Sequence, residues 1–182
     1  MSRPTHLLRH EHRVIEQAMR ALEGMCVRMR AGARVPPEEM AKLLDFFQGF
    51  ADGFHHAKEE AYLLPALEQL GIRNENGPLA FLWNEHAIER SLLGEVDAAI
   101  EAYRHDAGAG MLFVSAALKF KDHLIGHMQH EDATLFRLAE ELMDDQSKDS
   151  LIHALAVAGA EAQPMAQQYE QIAEELEKAW TV

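Results

Sequence analysis

The chain has 182 residues, and 48% of them are apolar, so it can form one domain with a sizeable core. Its net charge of −13, with histidines neutral, argues against a nucleic acid or an anionic membrane surface as a partner. Cys26 is the only cysteine, which excludes an intramolecular disulfide and leaves nitrogen and oxygen as metal ligands. The sequence shows neither a secretory signal nor about 18 consecutive apolar residues, so we expect a cytoplasmic protein without a membrane span.

Sequence breakers divide the chain into five long segments in which apolar residues recur with nearly helical spacing. The first segment begins near Thr5, Pro36 and Pro37 open the second, and Pro78 opens the third. The stretch HDAGAG separates the third segment from the fourth, and DDQSKDS separates the fourth from the fifth. Because no alternating strand pattern is present, the prediction is an all-α protein.

Four long helices with short connections suggest an up-down-up-down antiparallel four-helix bundle over residues 1–145. Residues 146–182 are predicted to form an additional C-terminal helical segment. Pro164 lies inside its apolar pattern and predicts a break at that point. We expect this extension to pack on the bundle or at a subunit contact, which would allow a homodimer.

Two stretches of the chain resemble each other at a shift of 72 residues. FHHAKEEAYLLPALEQL aligns with GHMQHEDATLFRLAEEL, which places His55 on His127 and Glu59 on Glu131. Residues four apart share one helix face, so each histidine can point at the same spot as the following glutamate. Imidazole and carboxylate together suit iron, manganese or zinc, and a carboxylate can bridge two ions.

A second repeat aligns LLRHEH with FLWNEH at a shift of 74 residues and places His12 on His86. In antiparallel helices His12 is level with His55, because both lie at a similar distance from the first turn. His86 and His127 are level in the same way around the third turn. Around the connection near Asn74, His55 and His86 lie at unequal distances along the chain. A partly unwound helix end or a longer loop would be needed to bring them level.

Six donors are therefore expected to converge at one depth of the bundle. They are His12, His55, Glu59, His86, His127 and Glu131. Four nitrogens and two carboxylates exceed what one tetrahedral ion needs, so two ions are the economical interpretation. A single His-x-x-x-Glu is usually a solvated pair. The evidence for a metal site is that the motif occurs twice, at matching depth. His56 is expected on a rotated face, and whether His56, His123 or Glu16 adds a ligand stays open.

The stretches LLRHEHRVIE, HHAKEEAYLLP, NEHAIE and HMQHEDATLF resemble the hemerythrin-like family, also called the HHE cation-binding domain. The resemblance covers the four bundle helices, about Thr5 to Met143. It implies a non-haem, oxygen-bridged di-iron centre held by the same six residues, with Glu59 and Glu131 as bridges. The family's oxygen carriers place a histidine where this chain has Arg90. They place a ligating aspartate at the position of Asp132, whereas the repeat in this chain favours Glu131, one residue earlier.

These departures match better the branch of the family with an H, HxxxE, H, HxxxE pattern. That branch is associated with responses to oxygen, nitric oxide or peroxide and with iron handling. The resemblance therefore implies a di-iron protein that binds or reacts with O2, NO or peroxide. Two alternatives stay open: a sensor or iron-handling module without turnover, and a structural bundle that takes up zinc.

Overall fold

The computed structural model describes residues 3–72 and 77–181, and all regular secondary structure in these ranges is helical. The all-α prediction is confirmed. The helices are α1 (His6–Arg30), α2 (Pro37–Phe46), α3 (Leu64–Gln69), α4 (Pro78–His105), α5 (Gly110–His130), α6 (Phe136–Leu142), α7 (Asp145–Glu161) and α8 (Gln163–Trp180). Among the residues described, none of the helices is long and apolar enough to cross a membrane.

Segments of π-helix join α2 to α3 and α5 to α6, so that each pair runs on as one irregular helix. These segments are Phe47–His56, Glu59–Leu63 and Glu131–Leu135, and each contains at least one of the predicted donors. Helical turns of this kind are rare and occur frequently at functional sites. The uneven connection near Asn74 includes residues 73–76, which lie outside the described residues.

The helix ends follow from local sequence signals. Pro37 and Pro78 lie in the first turns of α2 and α4, where a missing backbone N–H costs nothing. Asp144 caps α7 and accepts a hydrogen bond of 2.8 Å from the backbone N–H of Ser147. The expected break at Pro164 is present, because α7 ends before it and Pro164 lies in the first turn of α8.

Contacts between neighbouring helices show their relative directions. Thr5, just before α1, donates a hydrogen bond to Glu140 of α6, and Glu23 near the other end of α1 pairs with Lys121 of α5. The α1 helix therefore runs antiparallel to the α5–α6 helix. Side chains of α4 and α5 meet in the same antiparallel sense.

Apolar side chains form two buried clusters with the predicted donors between them. The larger cluster includes Phe50 and Phe120, and the smaller one includes Leu63 and Phe136. Along the chain, residues of the two clusters lie on opposite sides of the donor positions, with the exception of Met128, which follows His127 and belongs to the larger cluster. Because full burial of one Leu or Phe contributes about 1.5–3 kcal/mol, these clusters can offset the cost of desolvating a polar layer between them.

The C-terminal helix α8 packs against the bundle at close range. A Cβ on Gly24 would lie 2.0 Å from the Trp180 carbonyl oxygen, and one on Gly49 would lie 2.0 Å from the Tyr169 hydroxyl. The indole N–H of Trp180 donates a hydrogen bond of 3.2 Å to Glu39. Glycine at these two positions is thus what lets α8 approach so closely.

Candidate metal centre

The structure brings all six predicted donors together in one buried layer. Five are fully buried and the sixth, His12, is 3% exposed. The donor atoms of these six residues and of a seventh, His56, fall into two groups that could each hold a metal ion: His12, His55, Glu59 and Glu131, and His56, Glu59, His86 and His127. The expectation that His56 faces away is wrong, because a π-helical turn rotates less per residue and directs both His55 and His56 inward.

Glu59 faces both groups with different oxygens. Its Oε1 lies 3.6 Å from His55 Nε2, and its Oε2 lies 3.6 Å from His86 Nε2. The two histidines belong to different groups, so one carboxylate stands between them. This is the position of a bridging carboxylate.

Glu131 repeats this arrangement from the opposite side of the layer. Its Oε2 lies 3.2 Å from His12 Nε2, and its Oε1 lies 3.3 Å from His127 Nε2. Glu131 and Glu59 therefore each offer one oxygen to each group. The sequence repeat that relates these two glutamates has a direct counterpart in the geometry of the site.

Two imidazoles of the first group present their Nε2 atoms to one another. His12 Nε2 and His55 Nε2 are 3.1 Å apart. Because His55 donates its Nδ1 proton to Glu11, its Nε2 carries a lone pair. Two nitrogens that bind one ion at about 2.1 Å each and at right angles are about 3 Å apart. The observed separation thus fits a shared cation.

Carboxylates from neighbouring helices hold the outer nitrogens of two histidines. His55 Nδ1 donates to Glu11 at 3.0 Å, and His127 Nδ1 donates to Glu85 at 3.2 Å. Such a partner fixes the tautomer and leaves Nε2 free to bind a metal. The sequence prediction missed both glutamates as site residues, although the repeated Glu-His step contains them.

The other two histidines among the six donors also have a carboxylate near Nδ1, which is hydrogen-bonded at His86 and more distant at His12, and they have a different sequence signal. His86 Nδ1 donates to Glu60 at 2.8 Å, and His12 Nδ1 lies 3.7 Å from Asp132. Glu60 and Asp132 directly follow Glu59 and Glu131 in the chain and are equivalent in the repeat. The 72- and 74-residue shifts therefore relate ligands and supporting carboxylates alike.

Two cations anchor this outer ring of carboxylates. Lys58 is 4% exposed and forms an ion pair with Glu11. Arg90 donates 2.8 and 2.7 Å hydrogen bonds to Asp52 and Glu60. Arg90, four positions after His86, thus points outward and binds Glu60, the carboxylate that supports His86.

The inward-facing donor atoms have no hydrogen-bond partner among the described residues. These atoms are both oxygens of Glu59 and of Glu131, and Nε2 of His86 and His127. Buried polar atoms in proteins are almost always paired. Cations in the two groups would supply the missing partners, so the residues present fit a two-ion centre.

Burial changes the proton affinity of these groups strongly. Burial, with a contribution from nearby Glu131, raises the pKa of Glu59 to about 8. Burial likewise raises the pKa of Glu131 and lowers the pKa of His55. Without a metal the layer is therefore kept close to neutral by protonated carboxyls and unprotonated imidazoles.

The two remaining sequence candidates lie outside the two groups. Glu16 is exposed and lines an open cavity between α1 and α5. His123 points its Nε2 at Glu89, 3.8 Å away, and not at the six donors. Glu89 was not predicted as a site residue, although it ends the NEHAIE stretch that contains His86.

Comparison with known proteins agrees with the donor set. No curated protein and no solved structure gives a significant match. The family model of the hemerythrin HHE cation-binding domain matches residues 3–139, which contain all six donors and their supporting carboxylates. The chain therefore belongs to the hemerythrin HHE cation-binding domain family.

Proposed function

We propose that this protein holds two iron ions and binds or reacts with a small ligand: O2, NO or peroxide. Two histidines would hold each ion and two glutamates would bridge the pair: His12 and His55, His86 and His127, and Glu59 and Glu131. The observation that carries this proposal is the set of buried, inward-facing donor atoms that have no hydrogen-bond partner within residues 3–72 and 77–181. Two bridging carboxylates among four imidazoles favour a dinuclear centre over two separate sites.

The chemistry of the donors supports a hard or intermediate metal ion. Imidazole and carboxylate are the available ligands, since Cys26 is buried in the larger apolar cluster, away from the donor layer. When bound, iron would supply a change between ferrous and ferric states and an open position for an exogenous ligand. Zinc would fill the same donors without redox chemistry, and this makes metal identity the decisive measurement.

The chain itself would orient the donors and limit access. The outer carboxylates keep protons on Nδ1, so that each Nε2 remains available. The apolar clusters above and below exclude bulk water from the layer. A cavity of about 230 Å³ between α1 and α5 reaches Asp132, beside His12, and is large enough for a diatomic ligand or peroxide to approach.

The finer architecture belongs to the same proposal. Residues 1–145 would form an up-down-up-down four-helix bundle, and residues 146–182 a C-terminal extension packed on it. The antiparallel contacts of α1 with α5–α6, and the close approach of α8 at Gly24, support this arrangement. We propose a cytoplasmic protein that is a monomer or homodimer, which cell fractionation and light scattering would test.

Metal content and absorption of protein purified from iron-supplied cells test the proposed centre. About two irons per chain, with near-ultraviolet charge-transfer bands that respond to reductant, are expected. Zinc as the native metal, or no metal after anaerobic ferrous loading, would contradict the proposal. Assays with oxygen, nitric oxide and peroxide then identify the ligand.

A sensor or iron-handling module without turnover is the second candidate, and the packing of α8 favours it. Glu177 of α8 accepts hydrogen bonds from Arg20 at 2.6 Å and Gln17 at 3.1 Å, on the helix that also carries His12. A change at the centre could thus reach the C-terminal helix. A stoichiometric spectral change without steady consumption of ligand would favour the sensor, and turnover would favour the enzyme.

A further inference from the structure

His56 reaches the donor layer because the helix that carries it is π-helical at this point. The π-helical segment Phe47–His56 ends with His55 and His56, and both side chains are buried in the layer. In an α-helix successive side chains are about 100° apart, so one of the two histidines would face away. A π-helical run of 10 residues is rare. Contacts from the surrounding helices must therefore favour it over a continuous α-helix.

Tyr169 of α8 makes such a contact near the point where α2 ends and the π-helical segment begins. A Cβ on Gly49, the third residue of the segment, would lie 2.0 Å from the Tyr169 hydroxyl and 2.4 Å from the ring carbon that bears it. The tyrosine thus occupies the space that any side chain at position 49 would need. Glycine at this position lets α8 approach the backbone of the segment itself.

The tyrosine also contacts residues on both sides of the boundary between α2 and the segment. Its ring centroid lies 6.0 Å from that of Phe46, the last residue of α2, and 6.3 Å from that of Phe50, inside the segment. Burial and the nearby Asp45 carboxylate raise the pKa of Tyr169. One side chain of α8 therefore spans the change from α-helical to π-helical geometry.

The other aromatic contacts of the segment are made by side chains. Phe47 meets Phe120 of α5 with ring centroids 4.9 Å apart, and the Lys58 ammonium lies 3.8 Å from the ring centroid of Phe54. Side chains of this length can reach their partners from more than one backbone position. The contact of Tyr169 at Gly49 is made with the backbone, so it fixes where the backbone lies at the start of the segment.

We propose that Tyr169 is a positioning residue for the metal centre: by packing on Gly49 it holds the π-helical register that brings His56 into the second donor group. The inference rests on the proposed function, because His56 would act there as a third imidazole for one of the two ions. The α8 helix lies beyond residues 3–139, which the family model matches. The C-terminal extension would thus act on the centre through the backbone of one helix, from Gly49 to His56.

A double-mutant cycle in the full-length chain tests this link. The affinity for ferrous ion is measured anaerobically, by competition with a chelator of known affinity. Tyr169→Ala should weaken binding about 10-fold, because His56 then turns out of the layer, and His56→Ala should weaken it at least as much. In the His56→Ala background, Tyr169→Ala should add less than about a twofold change, since both substitutions act through the same imidazole.

Gly24→Ala is the matched control. Its Cβ would lie 2.0 Å from the Trp180 carbonyl oxygen, so it disturbs the docking of α8 by an equally close contact, away from the π-helical segment. Its affinity for ferrous ion should stay within about twofold of the wild-type value. An equal loss of affinity in Gly24→Ala and Tyr169→Ala would overturn the inference, because α8 would then act through overall stability. Full additivity of Tyr169→Ala with His56→Ala would overturn it as well.

A crystal structure of the metal-free Tyr169→Ala variant separates this inference from the di-iron proposal. We expect α-helical hydrogen bonds across Phe47–His56 and a His56 side chain outside the donor layer. A π-helical segment with His56 still in the layer would overturn the inference, even if the wild type binds two irons. Wild type that binds no metal would contradict the di-iron proposal, and the structure of the variant would still decide the role of Tyr169.

Discussion

Glu59 and Glu131 occupy equivalent positions of the internal repeat, and both are fully buried in the same polar layer. Each glutamate directs one oxygen to one half of the donor set and its other oxygen to the other half. None of the four oxygens has a hydrogen-bond partner among the described residues. Two such carboxylates cannot both be ionised in a dry interior without compensation. Protons or metal cations must therefore occupy this layer in the folded protein.

The first prediction concerns the stability of metal-free protein at different pH. The pKa of Glu59 rises from 4.5 to about 8 on folding, so the stability it contributes is fully present below 4.5 and is lost as pH rises through 8. The free energy of unfolding of the metal-free chain in urea should fall by at least about 2 kcal/mol from pH 6.5 to pH 8.5 through Glu59, at about 1.4 kcal/mol per pKa unit, and Glu131 adds to the fall because burial raises its pKa too. The comparison stays above pH 6.5 because burial lowers the pKa of His55, which reverses the trend at lower pH.

Glu59→Gln is the control for this pH effect. The amide cannot ionise, so the metal-free variant should lose the part of the pH dependence that Glu59 contributes, about 2 kcal/mol between pH 6.5 and 8.5, while Glu131, whose pKa burial also raises, keeps its own part. An unchanged dependence in the variant would show that another group is responsible. Iron-loaded wild type should also show little dependence, because the cation takes the place of the proton.

The second prediction concerns the ligands. His55→Ala and His127→Ala each remove a buried nitrogen from one half of the donor set and should lower bound iron strongly, to less than half of the wild-type content. Iron per chain after identical loading, with circular dichroism to verify folding, gives the measurement. The matched control is His105→Ala, since His105 is exposed at the end of α4. Full iron retention in both variants would refute the assigned site.

The third prediction concerns the buried ion pair behind His55. Lys58→Met leaves Glu11 buried without its cation and should destabilise the fold by about 3–5 kcal/mol, because desolvation of the carboxylate is no longer compensated. The double variant Glu11→Gln/Lys58→Met should recover part of that loss. Equal destabilisation in the single and double variants would show that the methylene packing of Lys58, and not the charge pair, is the source.

Glu11→Gln by itself separates support of a ligand from stability. Because Glu11 accepts the Nδ1 proton of His55, its loss should weaken iron binding by about 10–100-fold. Competition with a chelator of known affinity measures this change. Unaltered affinity would mean that His55 holds its orientation through packing alone.

The fourth prediction concerns the docking of α8. Gly24→Ala places a Cβ 2.0 Å from the Trp180 carbonyl oxygen, so the end of α8 must move and the protein should lose stability. Gly94→Ala is the matched control, because nothing lies within 4 Å of its Cβ position. In a helix interior that change should stabilise by about 0.5–1 kcal/mol. Thermal unfolding of the two variants should therefore shift in opposite directions.

Periodicity in the sequence was sufficient for the helical class and for the convergence of the six proposed donors in one buried layer. Residues four apart share a helix face whatever the rest of the fold does, so His55 with Glu59, and His127 with Glu131, could be paired without a structure. The equal depth of the donors in the bundle followed from the number of residues between each donor and the nearest turn. The repeat then supplied the expectation of two equivalent halves, which the positions of Glu59 and Glu131 match.

Helix irregularity limited the prediction of His56. An α-helical projection turns His56 away from His55, whereas the π-helical segment Phe47–His56 directs both inward. The i→i+5 hydrogen bonds of that segment depend on the packing of the surrounding helices, and no residue type in the segment predicts them.

The sequence by itself determined which residues share a helix face, because that depends on local geometry alone. Only the tertiary structure decided which carboxylate supports which histidine: Glu11 precedes His12 in the chain but holds His55 on another helix. The same is true of Glu89, which meets His56 and His123 from two other helices. Such contacts depend on helix rotation and axial offset, and these are set by packing of the apolar clusters, not by spacing along the chain.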